Sequence, residues 1–225
     1  MSKPVLAYWG TRCLAEPIRM MFEYLEIDYV NKIYPVGDAP SYDKKEWWKD
    51  KKDLGFDFPN LPYLIDGEMK LTESWAIMKY LGRKHGLYPK TPEDELRCDL
   101  VQSVIEDFRF RFINMTYYST ANTFDENKKK YFVQLTEDLE NFSKFIGPRK
   151  WLCGDSMTYV DFGFCEALDQ INLLFPNFLA EHPVVKNYYD RFYALSSIDA
   201  YKKSGRFKVL PINNKYAFWG GKTKL

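Results

Sequence analysis

The chain has 225 residues, with 32 basic against 31 acidic side chains, four cysteines, two histidines and an aromatic share of 18%. That length buries a substantial core, in one domain or in two packed units of roughly 100 residues each. Balanced charge removes the global field that would draw nucleic acid or an anionic membrane, and with His85 and His182 alone a zinc site or a serine hydrolase triad lacks its imidazoles.

Taken in order, Lys3 to Tyr8 reads as a strand and Trp9-Gly10-Thr11-Arg12-Cys13 as a loop. Leu14, Ile18, Met21, Phe22 and Leu25 then mark a helical stripe, with Pro17 acceptable only near its start. Asp28 to Tyr34 is a second strand, set beside the first by a right-handed crossover. A turn-rich loop from Pro35 to Asp43 leads to a short charged segment, Lys44 to Lys52, that holds Trp47 and Trp48. Next comes Phe56-Asp57-Phe58-Pro59-Asn60-Leu61-Pro62-Tyr63-Leu64-Ile65-Asp66-Gly67, a turn that feeds a strand and ends on an Asp-Gly signal. Met69 to Thr72 returns as the partner strand, and Glu73-Ser74 opens a helix with Ile77, Met78 and Leu81 at helical spacing. The tally, βαβ, short helix, ββα, is the thioredoxin-like order.

A Gly- and Pro-dense linker, 85–92, separates this part (1–84) from a helical remainder, 93–225. Leu96, Leu100, Val104, Phe108 and Phe112 step by four along a long helix from about Glu93 to Tyr118. A second helix runs from near Asp125 to Ile146 and stops at Gly147-Pro148. A third starts at Thr158, where Thr158-Tyr159-Val160-Asp161 forms a capping box, and its interior is apolar nearly all round, which places it at the centre of the helical domain. Helices near Pro183 to Ser196 and Ile198 to Ser204 follow, and the tail from Phe207 to Leu225 has no clear period.

The cysteines, Cys13, Cys98, Cys153 and Cys165, form no Cys-x-x-Cys pair and are too sparse for a secreted disulfide framework, so reduced thiols are expected. No apolar run approaches the roughly 20 residues that span a bilayer, and the N-terminus enters a strand without a signal peptide, so a soluble cytoplasmic protein is expected. The end Lys222-Thr223-Lys224-Leu225 departs at its first key residue from a peroxisomal Ser-Lys-Leu address.

The hairpin suggests chemistry by itself. Pro62 biases Leu61 to an extended backbone whose N–H and C=O are free to pair with a peptide laid alongside. Ser74 at a helix N-terminus offers a carboxylate site. Together they suit a small peptide bearing an α-carboxylate, although such a turn before a strand has a purely structural reading too. Tyr8, taken alone among 17 tyrosines, reads as packing.

In combination, Ala7-Tyr8-Trp9, Gly37-Asp38-Ala39-Pro40-Ser41-Tyr42-Asp43, the block Leu54 to Gly67 and the later Val160-Asp161-Phe162 resemble the glutathione transferases, most closely the mu class, over nearly the whole chain. The resemblance implies a thioredoxin-like N-terminal domain with an all-α C-terminal domain, and conjugation of reduced glutathione to hydrophobic electrophiles, with glutathione as co-substrate and no cofactor or metal. The other reading on the same fold is a weakly catalytic carrier of hydrophobic anions, for which an intact Tyr8 has no use.

Carried over residue by residue, the resemblance gives Tyr8 the role of donating a hydrogen bond to the glutathione thiolate and Tyr117 that of an acid in the electrophile pocket. Leu61 pairs with the cysteinyl part beside a cis Pro62, and Ser74 holds the γ-glutamyl carboxylate. Glu73, where the class usually has Gln, faces the α-amino group. Trp9, Lys44, Trp47, Lys51 and Asn60 complete the peptide site, with Lys44 in place of a common Arg, and Asp107 reaches a neighbouring subunit's site. Thr11, Leu14, Arg109, Phe110 and Trp219 line the electrophile pocket. Arg109 and Arg111 either bring cations to its mouth or are solvated. Cys13, where the class often has Gly, is either a reactive thiol before a helix or a small buried side chain. Phe58 inserts into a partner subunit, which implies a homodimer.

Overall fold

Short apolar runs bounded by turn signals build the first part of the chain. In a computed structural model that describes residues 2–222, strand β1 (Val5–Trp9) lies parallel to β2 (Val30–Tyr34), and the helix α1 (Glu16–Tyr24) provides the crossover. β3 (Tyr63–Asp66) runs antiparallel to β1 and forms a hairpin with β4 (Met69–Thr72), so the sheet order is β2-β1-β3-β4. Gly67 turns the hairpin at φ 63°, in the left-handed region that favours glycine. Between β2 and β3 sits the short helix α2 (Lys45–Asp50), and α3 (Ser74–His85) follows the hairpin. Leu6, Ala7 and Leu64 of the sheet and Ile18, Met21, Phe22, Ile77, Met78 and Leu81 of the helices are fully buried.

The chain forms two compact units. One comprises residues up to Leu81 together with those from Ala200 onward, and the other comprises Gly82–Asp199. The sequence-based expectation placed 93–225 in one helical domain, whereas the tail from Ala200 groups with the sheet. The reason is local bonding: Arg12 and Cys13 donate backbone N–H bonds to the carbonyls of Pro211 (3.0 Å) and Ile212 (3.1 Å). Ile212 is completely buried. The tail is then folded back on itself, with Gly221 so close to Asn214 that a Cβ there would sit 2.3 Å from its carbonyl oxygen. An aperiodic segment of this kind gives no hydrophobic stripe to read. Thr223 to Leu225, the end compared above with a peroxisomal address, lie outside the described residues.

The second unit is helical: α4 (Pro92–Tyr118), α5 (Phe124–Ile146), α6 (Tyr159–Leu174), a 3₁₀ turn at Phe178–Glu181 and α7 (Pro183–Tyr193), with α8 (Ser196–Lys203) running across the boundary in sequence. Thr91 caps α4 by accepting from the Asp94 N–H. α6 is buried on nearly every side, as its all-round apolar composition predicts. Its capping box is present, and the Asp161 carboxylate accepts from the Leu152 N–H (3.0 Å), the Thr158 N–H (2.7 Å) and the Tyr188 hydroxyl (2.7 Å). Burial pushes this carboxyl above its usual range, and these donors act in the opposite direction. Phe164 of α6 packs on Phe142 of α5, with ring centroids 4.1 Å apart.

Two expectations change here. The residues of α4 that step by four do not share one buried face. Each four-residue step advances about 40° around a helix, so Phe108 and Phe112 are buried with Cys98, Val101 and Ile105, while Leu96, Leu100 and Val104 stand exposed. The cysteines are also not all reduced: Cys98 of α4 is bonded to Cys153 of the loop before α6, with Cα atoms 5.8 Å apart. The partners are separated by 55 residues, so no sequence spacing announces the pair. Cys13 and Cys165 are free thiols, both buried.

Candidate active site

The hairpin positions the peptide-binding candidates. The Leu61–Pro62 bond is cis. β3 begins only at Tyr63, and Leu61 makes no backbone hydrogen bond among the described residues, which leaves an extended edge of the kind that pairs with a peptide. The β1–β3 register pairs Val5 with Ile65, Leu6 with Leu64 and Ala7 with Tyr63. Continued, it sets Tyr8 opposite Pro62 and Trp9 opposite Leu61. Tyr8, 4% exposed, therefore stands at the edge where the ladder opens.

At the same open end of the hairpin, Glu73 holds a left-handed backbone at φ 67°, which costs a non-glycine residue on the order of 1–3 kcal/mol. Its carboxylate accepts from Asn60 Nδ2 at 3.0 Å. Its carbonyl accepts from the Ile77 N–H, so α3 starts there, and buried Ser74 brings a hydroxyl to the helix's first turn, where backbone N–H groups lack helical partners. Strain, a carboxylate and an anion-binding helix start are thus gathered within two residues.

Two candidate lysines flank α2, Lys44 before it and Lys51 after it. Lys51 Nζ lies 5.2 Å from the centroid of Trp48 and 5.8 Å from that of Trp47. Lys44 Nζ lies over the rings of Tyr216 (4.8 Å) and Trp9 (5.5 Å). Aromatic faces hold both cations. Trp47 is itself buried, edge-on to Tyr34 at 5.4 Å. The Tyr34 hydroxyl lies 2.8 Å from Asp50 and 3.1 Å from the Tyr63 hydroxyl, and Lys32 pairs with Asp50 at 2.7 Å. The Lys32 ammonium, helped by Tyr34, holds the Asp50 carboxyl below its usual range. This network ties α2 to β2 and β3.

Sequence reasoning missed Tyr216 and the Lys32–Tyr34–Asp50–Tyr63 network. Tyr216 lies in the aperiodic tail, and nothing local marks it as a neighbour of Lys44. Its ring also meets Tyr42 edge-on at 5.7 Å, while Lys215 pairs with Asp38 at 2.6 Å. The tail therefore grips the loop that carries Lys44.

The first unit thus gathers Tyr8, Trp9, Lys44, Trp47, Lys51, Asn60, Leu61, Pro62, Glu73 and Ser74. It also carries Thr11, which is buried, and Leu14 and Trp219, which are half-buried. Cys13, at φ 26°, is buried. Asp107, Arg109, Phe110 and Tyr117 are on α4 of the second unit: Asp107 and Phe110 are exposed, Tyr117 is half-buried and Arg109 is 5% exposed. Of the two cations considered for the electrophile pocket, Arg109 is buried rather than solvated, and Arg111 is engaged by Asp138 at 2.6 Å.

Residues 4–83 match the family described as glutathione S-transferase, N-terminal domain, and residues 106–205 match its C-terminal domain. Glutathione S-transferase Mu 1 of Oryctolagus cuniculus is 44% identical over 216 residues, covering 96% of this chain and 98% of that protein. The chain belongs to the mu class of glutathione S-transferases. Glutathione S-transferase Mu 3 of Homo sapiens is 41% identical over 221 residues, covering 98% of this chain and 97% of that one. Among solved structures, the glutathione S-transferase Blo t 8 superposes with a TM-score of 0.89 at 32% identity, covering 96% of this chain and 99% of that one. For this transferase, the matches make the thioredoxin-like unit followed by a helical unit a family property.

Proposed function

We propose that this mu-class chain conjugates the thiolate of reduced glutathione to hydrophobic electrophiles, as a cytoplasmic homodimer that serves detoxification. The observation that carries this reading is the free Leu61 edge beside cis Pro62, running toward the helix start at Ser74. A tripeptide with one extended backbone and a carboxylate at each end matches it. Leu61 pairs with the cysteinyl residue, Ser74 and the first amides of α3 receive the γ-glutamyl carboxylate, and Glu73 takes the α-amino group with Asn60 as its support. Lys44, Lys51, Trp9 and Trp47 meet the glycyl end. Glutathione is a co-substrate, and no cofactor is required.

The chemistry then follows from one proton. A free thiol of pKa near 8.5 is only a few per cent thiolate at neutral pH. A hydrogen bond from the Tyr8 hydroxyl stabilises the anion and lowers that pKa, and the proton leaves to solvent. The sulfur lone pair attacks the electrophilic carbon, and with a chloroarene chloride departs with its bonding pair. Tyr117 serves as an acid where an epoxide or Michael acceptor develops charge on oxygen. Thr11, Leu14 and Trp219 on the first unit and Arg109 and Phe110 on the second are the residues that the resemblance to the mu class assigns to the electrophile.

The homodimer rests on two unpartnered surfaces. Phe58 is 80% exposed, and a cavity of about 180 Å³ on the helical unit is lined by Leu100, Val104, Phe142 and Phe145. A patch of this kind is costly on a monomer and is removed when Phe58 of a second copy fills the cavity. Asp107, exposed on α4, then reaches the partner's peptide site. No helix among the described residues is long and apolar enough to cross a membrane. Glutathione-dependent conjugation of a chloronitroarene tests the proposal, because a non-catalytic carrier binds glutathione without forming the thioether.

A further inference from the structure

Given the glutathione reading above, with Lys44 at the glycyl end, we propose that Tyr216 of the tail is a positioning residue that holds Lys44 for the glycyl carboxylate. It thereby sets how strongly the site prefers glutathione to γ-glutamylcysteine, the dipeptide thiol that lacks the glycine.

The tail presents this ring on a closed turn within the first unit. The Ala217 N–H bonds to the Asn214 carbonyl at 2.9 Å, which leaves Lys215 and Tyr216 at the two corners. The base of the turn is pinned, because Ile212 and Asn213, both completely buried, donate their N–H groups to the Gly220 carbonyl at 2.9 and 3.0 Å. The loop opposite is closed on itself as well: the Gly37 N–H bonds to the Asp43 carbonyl at 2.7 Å, and the Tyr42 N–H to the Asp38 carbonyl at 3.0 Å. Lys215 meets this loop at Asp38, and Tyr216 meets it at Tyr42 and at Lys44, where the loop enters α2.

Of these contacts, the one with Lys44 bears on the peptide. The Lys215–Asp38 pair is open to water, its side chains 49% and 90% accessible, and such pairs contribute little. Lys44 makes no ion pair among the described residues, and the adjacent Asp43 carboxylate is taken by Lys45 at 2.9 Å. Its charge is therefore available to an incoming carboxylate, but a lysine carries that charge on a flexible four-carbon stem. The faces of Tyr216 (4.8 Å) and Trp9 (5.5 Å) attract the ammonium without neutralising it. Freedom removed before the peptide arrives is freedom that binding no longer has to remove. Lys51 differs in this respect, since its two rings, Trp47 and Trp48, belong to the helix it terminates. Only Lys44 depends on the far end of the chain.

Tyr216 is 41% exposed, so truncating it spares the core. Calorimetric titration of the full chain at constant ionic strength compares glutathione with γ-glutamylcysteine. Tyr216→Ala is expected to weaken glutathione by about two- to thirtyfold, the range of a lost cation–π contact, and to leave γ-glutamylcysteine unchanged, so that the preference for the tripeptide falls by the same factor. Tyr216→Phe, which keeps the ring, retains the preference, and Tyr216→Ala causes no further loss in a Lys44→Ala background. Equal losses for both peptides make Tyr216 a merely structural part of the tail and overturn the proposal, as does undiminished glutathione binding by Tyr216→Ala. Either result leaves the glutathione reading standing, whereas an unmodified chain that binds neither peptide refutes that reading and this proposal with it.

Discussion

Replacing Tyr8 with phenylalanine removes one hydroxyl and little else. The side chain is 4% exposed on β1, and its ring belongs to the core of the first unit, so the isosteric ring keeps its packing. What is lost is a hydrogen bond to an anion, worth about 1.5–3 kcal/mol in proteins. At about 1.4 kcal/mol per pKa unit, the bound glutathione thiol rises by roughly one to two units. With the unassisted thiol near 8.5, the thiolate fraction at neutral pH, and with it the conjugation rate, then falls by about eight- to twenty-five-fold. The assay is the pH dependence of kcat/KM with a chloronitroarene. The acid limb moves up by that interval, while the KM for glutathione changes little because the peptide contacts remain. An acid limb left where the unmodified enzyme has it would refute the role of Tyr8.

The other consequences are equally direct. Tyr216→Ala removes the ring 4.8 Å from the Lys44 ammonium, an interaction of about 0.5–2 kcal/mol, so the KM for glutathione rises about two- to thirtyfold with kcat held, and steady-state kinetics in a Lys44→Ala background show no further rise. Phe58→Ser uncouples the subunits, and sedimentation at micromolar concentration finds the monomer. Asp161→Ala strands the donors of Leu152, Thr158 and Tyr188 in a fully buried site, costing about 3–5 kcal/mol in urea unfolding, whereas a loss below 1 kcal/mol contradicts the network.

Most of the elements were legible because their signals are local. The Asp66-Gly67 turn, the alternation around it and the capping box from Thr158 to Asp161 each reside within a few residues. The same holds for the peptide-binding candidates on the hairpin, where Pro62, Glu73 and Ser74 declare a backbone geometry. What the chain does not announce is pairing across distance. Cys98 meets Cys153, Tyr216 meets Lys44, and Arg12 bonds to the tail only because α4 packs beside a loop and an aperiodic segment folds back on the sheet. The exposed half of α4 was hidden for another reason: Leu100 and Val104 carry the same composition as core residues, and only the drift of the four-residue step separates their face from that of Phe108.

Calorimetric titration of the folded chain with reduced glutathione tests the central claim most directly. The account predicts saturable binding of one tripeptide per subunit, weakened by Ser74→Ala, with release of protons as the thiol ionises. A folded protein that gives no heat of binding with glutathione contradicts it.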